Sequence, residues 1–185
     1  MNITKSIFAV FLASLLSGCV TLTAPPRDEN TIFEDPSPTN DAHFLYKAVS
    51  VGTIEGFPGT SIVTLRFKLA PNYDNKQFKK ALLQSLENAH LHGSGYTLNA
   101  HVIDLDNWSE FTSINLGTNE RNVVIEYTLI DDKTGLAILE EEITGYGSVT
   151  NWNPLSPFYL KQREAAEKGY ADNIRTLITE LKAIN

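Results

Sequence analysis

Hydrophobic and polar positions alternate most clearly along residues 121–130, where Val123, Ile125, Tyr127 and Leu129 share one face and Val124, Glu126 and Thr128 the other. A period of two predicts a strand with one buried face. Asp131-Asp132-Lys133-Thr134-Gly135 then reads as a turn, with glycine where a left-handed conformation is needed, and residues 136–149 return as the partner strand. The same period marks 61–69, with Val63, Leu65, Phe67 and Leu69 on one face, and 96–102, with Tyr96, Leu98, Ala100 and Val102. The phase changes near Ile103-Asp104-Leu105, which predicts a bulge. Residues 43–51 have strand composition ended by Gly52, and this segment is expected to pair with 61–69 as a hairpin around Gly56-Phe57-Pro58-Gly59.

Two stretches switch to the helical period. Asp74 and Gln77 form a capping-box pattern ahead of Phe78, Leu82, Ser85, Leu86 and Ala89. His90 and His92 fall in the last turn, and Gly93 is placed for the C′ position. The second helix is expected from Phe158 to Lys182, with Ala166, Tyr170, Ile174, Leu177, Ile178 and Leu181 as its stripe. Gly169 inside it costs helix propensity and implies close packing on the sheet. The order strand, strand, helix, three strands, helix predicts an α+β two-layer sandwich: a mostly antiparallel sheet of about five strands with two helices packed on one face. Residues 43–185 make one such domain, with an irregular loop or a strand extension at 106–119 and a loop at 151–157.

The beginning of the chain follows another pattern. Met1 to Lys5 is short and positive, and Ile7 to Leu16 is an apolar run of 10 residues. That is too short to cross a ~30 Å hydrocarbon core as a helix, and it fits the apolar region of a secretory signal. Leu16-Ser17-Gly18-Cys19 matches the bacterial lipobox residue by residue and holds the single cysteine of the chain. The match implies cleavage between Gly18 and Cys19 and acylation, palmitate included, of the Cys19 sulfur and amine. Several acyl chains, each adding ~0.8 kcal/mol per buried CH₂, anchor a protein firmly. Val20 stands where an inner-membrane retention Asp would be, so the implied location is the periplasmic face of a Gram-negative outer membrane. Residues 19–42, with Pro25, Pro26, Pro36 and Pro38, are expected to form a Pro-rich tether from which Ile32 and Phe33 could dock on the domain.

Charge narrows the partners. The 185-residue chain carries a formal net charge of −7, and the loss of Lys5 with the leader makes the mature chain −8. Nucleic acid calls for basic stripes, and anionic headgroups for a polybasic patch; neither is present. With Cys19 acylated, no thiol remains for a disulfide.

Candidate chemistry is sparse. His90 and His92 are two apart on a helix and share no face, which argues for helix-end cations rather than metal ligands. His101 falls on the polar face of its strand, and His43 begins one. Asp104 with Asp106, Asp131 with Asp132, and Glu140-Glu141-Glu142 could do acid–base work or hold calcium, but a turn and a solvated strand explain them. Gly145-Tyr146-Gly147-Ser148 departs from the G-x-S-x-G elbow. No cofactor or metal is implied. Trp108, Phe111, Trp152, Phe158 and Tyr159 lie in or beside loops, where they close the ends of the sandwich or form a partner surface.

Together with the lipobox, the segments Phe78 to Leu86, Tyr96 to Ala100, Val124 to Asp131, Thr134-Gly135 and Ala165 to Ile174 resemble small proteobacterial envelope lipoproteins of unassigned role. The element order also resembles, coarsely, the lipopolysaccharide-assembly lipoprotein family, whose basic residues this acidic domain does not share. The resemblance implies a non-enzymatic accessory or scaffold in envelope assembly or transport, held to the membrane through Cys19 and bound to an envelope protein. The alternative is a module that takes a lipid or glycolipid ligand. A periplasmic hydrolase or acyltransferase is the least favoured reading.

Overall fold

The alternation at 121–130 belongs to the central part of the sheet in the computed structural model, which describes residues 25–62, 69–105, 117–150 and 158–184. Its elements are β1 (Val49–Glu55), β2 (Ser61–Ile62), β3 (Leu69–Ala70), α1 (Asn75–Asn88), β4 (Tyr96–Asp104), β5 (Thr118–Asp131), β6 (Ala137–Thr150) and α2 (Phe158–Ala183). The main sheet has four strands in the order β1-β4-β5-β6, and β2 and β3 form a separate antiparallel pair. The fold is therefore α+β, with a mixed sheet and two helices on one of its faces.

Two expectations are corrected. Among the described residues the sheet has four strands rather than about five, and β1 does not pair as a hairpin with the segment that follows it. β1 instead pairs parallel with β4, from Val49 opposite Tyr96 to Glu55 opposite His101. A parallel neighbour needs a crossover, and the chain from 56 to 95, α1 included, supplies it. Of the alternating stretch 61–69, the two ends pair with each other at Ser61–Ala70 and Ile62–Leu69; 63–68 lie outside the described residues.

The start of β1 also moves. Lys47 adopts a left-handed φ of 51°, which breaks extension until Val49, so His43 lies in a turn rather than in a strand. Gly52 continues the strand instead of ending it. A Cβ on Gly52 would stand 2.3 Å from Asn99 Oδ1, and that oxygen accepts the Thr53 N–H at 2.8 Å across the bulge between Val51 and Ile54. The predicted bulge in β4 is present between Val102 and Asp104.

α1 starts with the predicted capping box: Asp74 accepts the Gln77 N–H at 2.7 Å, and Gln77 accepts the Asp74 N–H at 3.0 Å. Phe78, Leu82, Ser85, Leu86 and Ala89 are buried, as their spacing requires. The left-handed residue beyond the helix is His90, at φ 57°, and not Gly93. Gly93 serves a different need, since a Cβ there would lie 1.7 Å from the Lys47 carbonyl oxygen.

α2 sits on β5 and β6. Its Ala165, Gly169 and Asn173, four residues apart, face Gly145 and Gly147 of β6. A Cβ on Gly145 would fall 2.2 Å from the Gly169 carbonyl oxygen, and one on Gly147 would fall 2.0 Å from that of Ala165. Asn173 fills the remaining space: its amide donates to the Val123 and Ile143 carbonyls at 3.0 and 2.7 Å and accepts from the Tyr127 hydroxyl at 2.7 Å. Next to this contact, Phe57, Phe78, Tyr73 and Tyr170 form an aromatic cluster, with Phe57 stacked on Phe78 at 4.2 Å between centroids.

From Pro25 the chain follows the outer side of the helices as a strap. Glu167 of α2, 1% exposed, accepts from the Arg27 backbone at 2.9 Å, the Arg27 guanidinium at 3.1 Å and Asn30 at 2.6 Å. Lys80 of α1 pairs with Asp28 at 2.6 Å, and Lys182 of α2 with Asp35 at 2.9 Å. Between these ties the Phe33 backbone is held from α1, its N–H donating to Ser85 and its carbonyl accepting from Asn88. Ile32 and Phe33 pack against the core.

Candidate functional site

Among the described residues, no element covers the sheet face away from the helices. Register places its side chains in transverse rows. Glu55, His101, Glu126 and Glu142 face one another across β1, β4, β5 and β6, and Asn99, Thr128 and Glu140 form the neighbouring row. Thr53, Glu55, Asn99, His101, Glu126 and Thr128 line a shallow depression on this face. The residues that project into water do so by strand phase alone: Val123, Ile125, Tyr127 and Leu129 take the helix side, so Glu120, Glu126 and Thr128 cannot.

Charge on this face is one-sided. Glu55, Glu120, Glu126, Glu140 and Glu142 are exposed on it, and among its described residues there is no Lys or Arg. Ile103, Ile138 and Tyr146 add exposed apolar surface toward its margins. All these carboxylates are in water, and no group of three or more His, Cys, Asp or Glu among the described residues is arranged to hold a metal ion. Such a face can attract and orient a cationic partner, and it lacks the desolvation that prepares a group for proton transfer.

The other titratable groups serve the fold. Burial pushes the Tyr170 phenol up to about 12 and holds those of Tyr73 and Tyr127 well above the usual tyrosine range. The hydrogen bond to Glu167 and its charge raise Arg27 above the ordinary arginine value. Asp131 accepts the Lys133 N–H within its own turn, and Asp132 accepts from Thr97, so this pair does structural work. His43 bonds the Ile184 carbonyl at 3.1 Å, His92 contacts the Val49 carbonyl at 3.3 Å, and exposed His90 stands edge-on to Tyr46.

Several predicted positions fall elsewhere. Gly18, Cys19, Asp106, Trp108, Phe111 and Trp152 lie outside the described residues. Phe158 and Tyr159 open α2, and their side chains also lie outside. The sequence reading missed two features. The alignment of Glu55, His101, Glu126 and Glu142 depends on which strands are neighbours, and no local pattern carries that. Arg121 is fully buried and donates to Asn72 Oδ1. Its phase with Val123 and Ile125 was the available signal.

No protein-family model matches the chain, and no curated protein matches it. Among solved structures, a Xanthomonas campestris protein of the DUF330 family is 9% identical with a TM-score of 0.52, over 80% of this chain and 91% of that one. A Caulobacter crescentus protein described as a candidate lipoprotein is 13% identical with a TM-score of 0.48, over 75% of this chain and 90% of its own. A PelC chain from a Paraburkholderia phytofirmans dodecamer is 13% identical with a TM-score of 0.39, over 81% and 93%. At such identity, the Xanthomonas likeness establishes a shared fold and nothing about activity.

Proposed function

We propose that this chain is a lipid-anchored lipoprotein of the Gram-negative cell envelope, held at the periplasmic face of the outer membrane, that acts without catalysis as an accessory or scaffold for a protein partner. The observation that carries the reading is Leu16-Ser17-Gly18-Cys19 behind a short apolar leader, on a chain whose single cysteine is Cys19. The domain supports it, because its accessible face offers solvated charge and large area rather than a desolvated reactive group. No described helix is long and apolar enough to cross a membrane, so attachment in this reading rests on the acyl chains.

The test is metabolic labelling of the full chain with palmitate in a Gram-negative host, followed by membrane separation. Wild type should incorporate label and co-fractionate with the outer membrane. Cys19→Ser should give an unlabelled, unprocessed precursor with an unchanged fold. A mature protein that begins at another residue with a free thiol overturns the anchor.

A further inference from the structure

β6 is an outermost strand of the sheet, and its free edge is divided in two. Toward the C-terminal end, α2 occupies the outward backbone groups. Asp172 Oδ2 accepts the Tyr146 N–H at 2.9 Å, and the Lys168 ammonium donates to the Ser148 carbonyl at 3.2 Å. On an antiparallel edge strand the outward groups recur every second residue, so Tyr146 fixes the phase. The backbone N–H and C=O of Glu140, Glu142 and Thr144 therefore point away from β5, beyond the stretch that α2 caps.

An uncapped edge is a template for another strand, and charge decides which strand it accepts. Glu140, Glu141 and Glu142 are all exposed, and Glu126 faces Glu142 from β5. A second copy of this chain paired edge to edge would set glutamates against glutamates, which is destabilising. A segment with Lys or Arg at alternate positions would instead place each cation beside Glu140 and Glu142 on the open face. Exposed Ile138 at one end and Tyr146 at the other give that segment apolar ground to end on.

We propose that residues 138–144 of β6 are a docking edge for an extended basic segment of a protein partner, which joins the sheet as an additional strand. This rests on the accessory reading above and names the chemistry of its partner. Backbone bonds along β6 supply affinity, and the glutamates on the open face supply selectivity and fast, salt-sensitive association.

The experiment uses the full chain in nonionic detergent and a fluorescent eight-residue peptide of alternating Thr and Lys. Saturable binding is expected, weakened at least tenfold between low and high salt as screening shortens the reach of the charges. Glu140→Lys/Glu142→Lys should lose binding at least tenfold, and Glu140→Gln/Glu142→Gln, which keeps the shape, at least threefold. Methylating alternate peptide amides should abolish it, and bound peptide should slow amide exchange at 140–144. Binding that survives methylation shows charge adsorption only and overturns the docking edge. So do protection at another strand, absence of binding, or self-association through β6. Palmitate labelling separates the two readings: a labelled protein that ignores the peptide loses the docking edge alone, and an unlabelled one that binds it loses the anchor alone.

Discussion

The backbone of Gly147 lies against the Ala165 carbonyl so closely that a Cβ would stand 2.0 Å from the oxygen. The helix–sheet distance is thus set by backbone contact, with Gly145, Gly147 and Gly169 as its means. Gly147→Ala should cost about 2–3 kcal/mol, since neither backbone can move without disturbing its own hydrogen bonds. Thermal unfolding should fall by roughly 5–10 °C. Gly135→Ala is the comparison: open space surrounds it, so only its φ of 70° is strained, and about 1 kcal/mol is expected.

Tyr127→Phe removes the hydroxyl that donates to Asn173 Oδ1 at 2.7 Å and leaves a buried acceptor without that donor. A loss of about 1–2 kcal/mol is expected in denaturant titration, with an unchanged slope. Asn173→Leu should cost more than this, because it also abandons the Val123 and Ile143 carbonyls.

Burial raises the phenols of Tyr73, Tyr127 and Tyr170. The folded protein therefore retains protons that the unfolded chain releases above pH ~10. Their contribution is complete below that pH and is lost as pH climbs toward the folded values. Stability should be insensitive to these groups near neutrality and then decline above pH ~10, by up to about 1.4 kcal/mol per pH unit for each tyrosine. Denaturant midpoints measured from pH 8 to 12 check this, and Tyr127→Phe should make the decline shallower.

Glu167→Ala withdraws the carboxylate that holds Arg27 and Asn30 and that also lies 3.4 Å from Arg163. Arg27 is half exposed, so solvent screens much of the pair, and a modest loss of global stability is expected. The sharper readout is local. Amide exchange and proteolysis should accelerate around 27–33, where the strap crosses α2, while the sheet stays protected.

Much of this architecture was legible in the chain because it is written locally. Asp74 and Gln77 announce α1, Gly135 closes the β5–β6 hairpin, and the stripe from Ala166 to Leu181 identifies α2 with its buried face. The placement of β1 was not legible, because a period of two says which face a strand buries and not which neighbour it pairs with. Lys47 and His90 took left-handed conformations that glycine usually occupies, and tertiary hydrogen bonds around Leu91 and Ala48 maintain them. The same limit hid the open face. Each glutamate could be assigned to a polar side, but the row from Glu55 to Glu142 exists only once parallel and antiparallel partners are fixed.

The strap has a mechanical consequence. Among the described residues its first hydrogen-bonded tie to the domain is Arg27 on Glu167, and six residue steps separate Cys19 from Pro25. Six steps of chain extend at most about 20 Å, less than the width of a domain of this size. An acylated Cys19 would then be a short mooring rather than a long leash. Because the strap lies on the helices, the proposed anchor would draw the helical side toward the lipid and turn the sheet outward. The acidic face and the β6 edge would sweep a thin layer of periplasm parallel to the membrane, so that an encounter with a partner in that layer becomes largely a search in two dimensions. Cutting the Arg27–Glu167 tie would lengthen the mooring without altering the domain it holds.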